Sequence, residues 1–316
     1  MSGYKELLAV EWDDNAVATF KLNFPDVPVY HGDIAKLTGA ECMRIAGVGV
    51  GELDVFDGSP PCQGFSTAGK RKFDDPRNSL FIEYARLLND LQPKVFVMEN
   101  VTGMVKGVMR QAYLQIIKTL RECGYKAKGQ VMNAMYYNVP QSRERVIVIG
   151  VREDLGIEPS HPKPQVKIKS VKQAIEHLGE YPKTDIGHVW IDESPQGKNT
   201  KTYHLAKRAK QGERYAGQQR RAFWNKPFST ITKPSSDGMG IKPYLRNSTC
   251  HPLYTRTFSP RELACGSSFP DSFKFAGDPL TYWPNRIGNS VPPNLMKAVA
   301  EHIQDNILSK IEASHA

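Results

Sequence analysis

The chain of 316 residues is long enough for one large domain or two unequal ones, and its content of 40% hydrophobic and 24% charged residues is ordinary for a globular protein. No apolar run approaches the roughly 20 residues that cross a membrane, and the N-terminus lacks a signal-peptide core, so we expect a cytoplasmic protein with no membrane partner. Its five cysteines are scattered and form no Cys-x-x-Cys pair, which argues against a disulfide framework and against a metal site.

The net charge of +9 is concentrated in one third of the chain. Residues 152–256 contain 19 Lys and Arg against 10 Asp and Glu, an excess of nine, while the remaining residues balance at 23 of each sign. A basic segment in an otherwise evenly charged molecule predicts binding to a polyanion. The alternative is a solvated basic face that has no partner.

The first part of the chain alternates strands and helices. A predicted strand at Leu7–Val10 ends at Glu11, a helix covers Asn15–Asn23, and a second strand covers Val27–Tyr30. Acidic residues at the ends of these two strands, Glu11 and Asp33, are typical of a nucleoside-binding half, in which the first carboxylate binds ribose hydroxyls. Helix capping explains the same two residues equally well.

A rigid turn follows the next strand. The strand at Leu53–Phe56 is stopped by Gly58 and by two prolines, and Cys62 comes directly after them. Parallel sheets of α/β proteins normally carry their chemistry at such strand ends, where a thiol of lowered pKa is a good nucleophile. A buried structural cysteine in a tight turn explains this stretch as well, so both interpretations remain open at this point.

The alternation continues to about residue 151. The further elements predicted are helices at Ser79–Leu91 and Gln111–Cys123 and strands at Val95–Met98, Gln130–Tyr137 and Arg145–Val151. Strands that alternate with helices predict an α/β fold with an open, mostly parallel sheet covered on both faces.

The regular pattern ends near Arg152 and returns near residue 257. Between them the sequence is rich in Pro, Gly and Lys, and its most basic part is Lys198–Arg221, in which aromatic and Gln residues are interleaved. We therefore predict a main domain at 1–151, a smaller irregular domain at 152–256, and a return to the main domain at 257–316 that ends in a helix at Leu295–Ile307.

Four motifs stand in order along the chain: Pro61-Cys62-Gln63, Glu99-Asn100-Val101, Gln141-Ser142-Arg143-Glu144-Arg145 and Gly288-Asn289-Ser290-Val291-Pro292-Pro293-Asn294. Together they resemble the motif set of the DNA cytosine-5 methyltransferases. The resemblance covers nearly the whole chain apart from the variable basic segment. It implies a Rossmann-like, S-adenosylmethionine-dependent methyltransferase domain, with residues 152–256 as a target-recognition domain for double-stranded DNA.

The resemblance assigns the chemistry to four residues. Cys62 is the nucleophile that adds to carbon 6 of a cytosine flipped out of the duplex, which makes carbon 5 reactive toward a methyl sulfonium. Glu99, with a pKa raised by burial, protonates or hydrogen-bonds N3. Arg143 and Arg145 supply donors for the cytosine O2, for phosphate, or for lowering the pKa of the thiol.

The resemblance also implies an S-adenosylmethionine site, with S-adenosylhomocysteine as product and no metal. The residues assigned to this site are Glu11 for the ribose, Trp12 for the adenine face, Asp33 and Ile34 for the adenine edge, and Asn289 and Ser290 for the amino-acid end, together with Pro61, Leu80 and Val291. Enzymes of this type belong to bacterial or phage restriction–modification systems, which predicts a nucleoid-associated protein and a cognate restriction endonuclease as a partner.

One part of the family pattern is missing at the N-terminus. The family begins with a strand and a glycine-rich turn around the methionine end of the cofactor, whereas only ten residues precede Glu11. A mis-assigned start, a second polypeptide that supplies the missing piece, and a degenerate enzyme all explain this, and we favour the first. We expect two unpaired strand edges inside the sheet and a chain that is weak or inactive alone.

Two other functions remain open from the sequence. One is an RNA cytosine-5 methyltransferase of the same fold. The other is a non-catalytic DNA-binding relative that cannot hold the cofactor because the glycine turn is absent.

Overall fold

The computed structural model describes residues 2–61, 79–179, 208–216, 219–233, 251–253, 258–279 and 281–315. Cys62, the loop that follows it and half of Lys198–Arg221 lie outside the described residues. The strands are β1 (Ala9–Glu11), β2 (Val29–His31), β3 (Val55–Gly58), β4 (Val95–Val101), β5 (Tyr125–Asn133), β6 (Glu144–Arg152), β7 (Arg214–Ala216) and β8 (Gln219–Arg220). The helices are α1 (Asp14–Asn23), α2 (Gly39–Ala46), α3 (Ser79–Leu91), α4 (Arg110–Glu122), α5 (Val171–Ile175), α6 (Pro260–Gly266), α7 (Tyr282–Asn289), α8 (Pro293–Ile303) and α9 (Ser309–His315).

Local sequence explains where several helices begin and end. The side chain of Asp13 accepts a hydrogen bond from the Ala16 amide at 2.8 Å and so caps α1. At the start of α6, Ser259 and Glu262 form a reciprocal capping box. Gly47 ends α2 with a φ of 69°, a left-handed conformation that glycine adopts without strain. The sequence analysis missed α2 because its apolar pattern is short.

The α/β class predicted from the sequence is confirmed, and its strand directions are mixed. One described sheet has the order β3-β4-β6-β5, in which β3 and β4 are parallel while β6 is antiparallel to both β4 and β5. The antiparallel part arises because β5 and β6 are joined by a short connection, which leaves no room for a crossover helix. The strands β3, β4 and β5 therefore run in one direction and only β6 is reversed in this sheet, in agreement with the prediction of a mostly parallel sheet.

Some predicted boundaries were wrong. The strand predicted at Gln130–Tyr137 is β5, which begins at Tyr125 and ends at Asn133, because residues 134–136 form a 3-10 turn. The final helix begins at Pro293 and contains a π-helical turn at Gln304–Leu308 before α9.

Helices cover both faces of the four-stranded sheet. On one face, side chains of α3 and α4 such as Leu88 and Leu120 pack against Phe96 and Val148 of the sheet. On the other face, Val299 of α8 and the C-terminal residues pack against Ile147 and Ile149. These two layers hold β4 and β6 rigidly, and both strands carry predicted catalytic residues. Among the described residues, no helix combines the length and the apolarity needed to cross a membrane.

The sheet is interrupted between β1 and β3. The strands β1 and β2 form a separate parallel pair, and within the described residues β1 has no ladder with β3. The apolar side chains beside this gap pack against a buried cluster and are themselves only partly buried. They are Leu8, Val10, Leu53 and Phe56. The unpaired strand edges expected from the sequence are thus present in the described structure.

The N-terminal residues pass near this gap without forming a strand. The Tyr4 hydroxyl donates to the Ala300 carbonyl at 3.2 Å, on α8. Partial burial raises the pKa of Glu6, and the nearby Asp57 carboxylate of β3 adds to the effect. Residues 4–6 therefore lie beside β3 while its outer edge stays unpaired among the described residues.

The described parts of the region after β6 pack against the end of the chain. Val171 and Ile175 of α5 share one apolar cluster with Phe228, Ala264 of α6 and Ile287 of α7. The division at residues 152 and 256 stays a prediction.

Candidate active site

The carboxyl ends of β3 and β4 lie side by side. Gly58 of β3 is paired with Met98 of β4, so the turn after β3 leaves the sheet next to Glu99. The side-chain amide of Asn100 donates to the Pro60 carbonyl at 2.8 Å and holds the Ser59–Pro61 turn against β4. Cys62 follows this turn in sequence and lies outside the described residues. Its role as the nucleophile stays a prediction.

Glu99 and Arg145 form an ion pair at this edge. Val101 is opposite Arg145 in the antiparallel ladder, so the side chain of Glu99, two residues before Val101, is on the same face of the sheet as Arg145. The Arg145 Nε lies 2.8 Å from Glu99 Oε1, and the two side chains are only 14% and 13% exposed. The sequence placed both residues in the site, and the fold brings them together.

Two opposing influences act on the Glu99 carboxyl. Burial raises its pKa, while the Arg145 guanidinium and a hydrogen bond from the Ser59 hydroxyl work against this, and the net result is a raised pKa. Such a carboxyl holds a proton at higher pH than an exposed one and is suited to general acid catalysis. The sequence analysis gave Ser59 no role, because a serine before two prolines carries no distinctive pattern.

Arg143 lies two residues before Arg145, in the turn that leads into β6, and its side chain is 2% exposed. Its terminal nitrogens donate to the backbone carbonyls of Ile231 at 2.7 Å, Gly288 at 2.9 Å and Ser290 at 3.0 Å. Burial lowers its pKa to about 10, with a further contribution from Arg145, so it remains a cation at neutral pH. The sequence analysis grouped Arg143 with Arg145 as a donor to the base or to phosphate, and these carbonyl contacts could not be read from the motif.

The residues assigned to the ribose and the adenine lie at the ends of β1 and β2. Glu11 is paired with His31, so the acidic residues after both strands share one edge of this parallel pair. Glu11 Oε1 accepts from the amides of Trp12 at 2.8 Å and Asp13 at 3.0 Å, which fixes the carboxylate. Asp33 caps the turn Ile34–Lys36. Trp12 is 76% exposed, so it is not the core tryptophan that a structural role requires.

A cavity of about 290 Å³ joins β1 to the C-terminal part of the chain. Five phenylalanines, two at the C-terminal end of α1 and three among residues 269–275, contribute to its lining, and Glu11 and Ser290 both border it. The fold thus brings two predicted cofactor residues, nearly 280 positions apart in the sequence, to one space. An ion pair between Arg286 and Asp13 at 3.1 Å holds α7 against the end of β1.

The other residues assigned to the cofactor do not line this cavity. Asn289 is exposed, Val291 is partly buried against the sheet, and Ile34 is partly buried beside Leu37. Pro61 and Leu80 flank the segment outside the described residues, and both are exposed there. Within the described part of the chain, no group of three or more His, Cys, Asp or Glu side chains is placed to hold a metal ion.

Comparison with known families places these motifs in a single context. A sequence model of the C-5 cytosine-specific DNA methylases matches residues 1–305. The type II methyltransferase M1.HphI of Haemophilus parahaemolyticus is 35% identical over 96% of this chain and 81% of its own length. The type II methyltransferase M.NgoPII of Neisseria gonorrhoeae is 30% identical over 97% of this chain and 91% of its own length.

Solved structures share the fold. A prophage-encoded E. coli protein described as a DNA modification methyltransferase has a TM-score of 0.74 at 24% identity, covering 98% of this chain and 94% of that one. The Dnmt2 methyltransferase of S. pombe has a TM-score of 0.61 at 18% identity, covering 95% of this chain and 91% of that one. At this level of identity the likeness concerns the fold alone.

Proposed function

The chain belongs to the C-5 cytosine-specific DNA methylase family and is a DNA cytosine-5 methyltransferase, and from this premise we propose which of its residues carry the reaction. Glu99 and Arg145 act on the cytosine ring, and Cys62 forms the covalent bond to it. The observation that carries the proposal is the buried Glu99–Arg145 pair at the sheet edge from which the turn toward Cys62 departs.

The reaction needs negative charge on the ring to be neutralised. When the Cys62 thiolate adds to carbon 6, electrons move toward N3, and a protonated Glu99 can deliver its proton there. While Glu99 is protonated, before this transfer, its ion pair with Arg145 is weakened, so Arg145 can donate to the cytosine O2. Once N3 has taken the proton, the Glu99 carboxylate pairs with Arg145 again. After carbon 5 has gained the methyl group, its proton passes to water, the bond between Cys62 and carbon 6 breaks to release the thiolate, and the proton on N3 returns to Glu99. These losses restore the aromatic ring and the starting state of both residues.

S-adenosylmethionine supplies the methyl group, and the residues present fit it. Glu11 has a carboxylate held by two amides at a strand end, which suits ribose hydroxyls. Trp12 offers an exposed indole face for the adenine, and Ser290 borders the same cavity as Glu11. Asp33, Ile34, Pro61, Leu80, Asn289 and Val291 remain proposals for the rest of this site.

The biological setting is also a proposal. Relatives at 30–35% identity are named type II methyltransferases, which supports modification of a specific duplex sequence beside a cognate restriction endonuclease. Such a protein would be found on bacterial DNA. A second polypeptide that adds a strand beside β1 and β3 is a further proposed partner.

Bisulfite sequencing of DNA from cells that express the chain tests the function. We expect protected cytosines within one short sequence context when the chain is expressed with a segment that supplies the missing strand and glycine turn, fewer for the chain alone, and none for Cys62→Ser. In vitro, the wild type should form a denaturation-resistant adduct with a duplex that contains 5-fluorocytosine at that site. Full protection by Cys62→Ser would remove Cys62 from the role. Methylation of tRNA in preference to duplex DNA would instead favour the RNA enzyme.

A further inference from the structure

One described stretch touches both the predicted recognition region and the predicted cofactor side. We call residues 228–233 the return segment, because they lead back from the basic region toward the end of the chain. The Phe228 amide donates to the Pro140 carbonyl at 2.8 Å, and the Ser142 amide donates to the Phe228 carbonyl at 2.8 Å. These bonds attach the return segment to the turn that precedes β6.

Side chains continue this attachment. The Thr230 hydroxyl donates to the Ser142 carbonyl at 2.8 Å. Gln141 is fully buried, accepts from the Ile231 amide at 2.9 Å and donates to the Ser267 hydroxyl at 3.0 Å. The return segment is therefore tied at several points to the motif that contains Arg143.

The far side of the return segment packs directly on α7. A Cβ atom added to Gly288 would lie only 2.7 Å from the Lys233 Cα, so the backbones of α7 and the return segment are in close contact. Such a contact has little freedom to change unless one of the two backbones moves.

Arg143 closes this arrangement. One terminal nitrogen binds the Ile231 carbonyl of the return segment, and the other binds the Gly288 and Ser290 carbonyls at the end of α7. A planar guanidinium with donors in a fixed fork holds three carbonyls in one geometry, which the single ammonium of lysine cannot reproduce. The Glu99 carboxylate, which acts electrostatically on Arg143, is paired with Arg145, and the side-chain hydrogen bonds of Arg143 among the described residues go to backbone carbonyls.

We propose that Arg143 is a positioning residue that couples occupancy of the cofactor side, at Ser290, to the placement of the return segment and hence to DNA recognition. The inference rests on the proposed function for its two ligands. A ligand that draws the 288–290 backbone inward moves the Ile231 carbonyl with it, because both are bound by one rigid group. Cofactor binding and DNA binding then strengthen each other.

Two arginines of β6 and its preceding turn allow a matched comparison. Arg152 lies at the opposite end of β6 and also donates to backbone carbonyls, those of Gln92 at 2.5 Å and Gly51 at 3.4 Å. Its Nε also pairs with Asp154 at 2.8 Å. Arg143→Lys and Arg152→Lys therefore both remove guanidinium bonds to backbone carbonyls and keep the positive charge. Only the first lies between Ser290 and the return segment.

The first measurement needs no ligand. Hydrogen exchange of Arg143→Lys should speed up together at the Ile231 and Ser290 amides, while Arg152→Lys leaves both at the wild-type rate. Faster exchange at only one of these two amides would show that Arg143 does not link them. If Arg143→Lys does not fold, Gly288→Ala separates the same two backbones and serves in its place.

The second measurement is the coupling itself. The affinity for the methylated-site duplex identified by bisulfite sequencing is compared with and without S-adenosylhomocysteine. We expect the wild type and Arg152→Lys to bind DNA more tightly with the product, within the roughly 5- to 150-fold range of coupled sites. In Arg143→Lys this ratio should fall close to one.

The outcomes distinguish the coupling role of Arg143 from the proposed methyltransferase function. If the wild type and Arg143→Lys bind both ligands with the same coupling ratio, the role of Arg143 is overturned and the methyltransferase function stands. If the wild type binds no S-adenosylhomocysteine, the proposed function fails, and the coupling role fails with it.

Discussion

At the residue scale, the proposed chemistry depends on one carboxyl, that of Glu99, in a mostly buried ion pair with Arg145. Burial favours the neutral form of Glu99, while Arg145 and Ser59 favour the anion, and the pKa is raised overall. A raised pKa keeps more of the carboxyl protonated near neutral pH. An acid that works in its protonated form loses activity as the pH rises through that pKa.

We therefore predict that turnover falls toward alkaline pH because Glu99 loses its proton there. Glu99→Gln, which keeps the shape but has no proton to give, should lower turnover by about 10²- to 10⁴-fold and remove this limb of the pH profile. Methyl transfer measured across the pH range checks this. Glu144→Gln, an exposed carboxylate in the same motif, is the control, and a wild-type profile for Glu99→Gln would contradict the role.

At the scale of elements, the site depends on how closely β4 and β6 pack. Gly150 is directly opposite Phe96, and a Cβ atom at Gly150 would collide with the Phe96 ring. Gly150 is therefore required because a side chain at this position would collide with the Phe96 ring, and not because the chain turns there.

Gly150→Ala should lower the free energy of unfolding by about 1–3 kcal/mol, the usual cost of an overpacked core. Urea denaturation followed by circular dichroism measures the change. Gly103→Ala is the matched control, since no atom lies within 4 Å of its added Cβ. An equal loss of stability in both variants would mean that the Phe96 contact is not the cause.

The gap between β1 and β3 leads to a second prediction at the scale of secondary-structure elements. A β-strand followed by a glycine turn, supplied as a peptide or as upstream residues, should pair with both open edges. It should tighten S-adenosylmethionine binding by about a hundredfold or more, because it adds two or three hydrogen bonds to charged groups at roughly 1.5–3 kcal/mol each. Calorimetry measures the affinity, and slower exchange of the Val10 and Val55 amides, which point away from β2 and β4, reports the pairing. The same segment with a proline in its strand should fail. Tight cofactor binding without any such segment would mean that the gap does not limit the site.

At the scale of the whole molecule, we propose that the basic region makes the contact with DNA. Arg208 and Lys210 are both exposed at the surface. Arg221 is different, because it is buried and donates to the His251 carbonyl at 3.0 Å. The charge count alone placed Arg221 with the phosphate-binding residues, whereas its position is that of an internal brace.

Lys210→Gln should flatten the slope of log affinity against log salt by about one unit if it binds a phosphate. Arg221→Gln should lower stability and leave that slope nearly unchanged. Fluorescence anisotropy with duplex DNA over a salt series distinguishes the two. Lys310→Gln, an exposed lysine in α9, is the control, and an unchanged slope for Lys210→Gln would remove it from the DNA interface.

The sequence by itself determined the family, the α/β class and the residues that reach the β3–β4 edge. Motifs such as Glu99-Asn100-Val101 are contiguous, and their chemistry depends on residue types that can be read directly. Both ends of the helix at Ser79–Leu91 were predicted correctly, because an amphipathic pattern of that length is typical of an α-helix. Local patterns were enough wherever the decisive interaction was local.

Only the tertiary structure decided what separates Arg143 from Arg145. Both belong to one short motif, yet one pairs with Glu99 and the other binds carbonyls of Ile231, Gly288 and Ser290. These partners are distant in sequence, so no spacing rule reports them. Long-range packing likewise decided the antiparallel direction of β6 and the cavity shared by Glu11 and Ser290. Which side chains become buried in such packing depends on residues far away in the sequence, and local patterns do not reveal them.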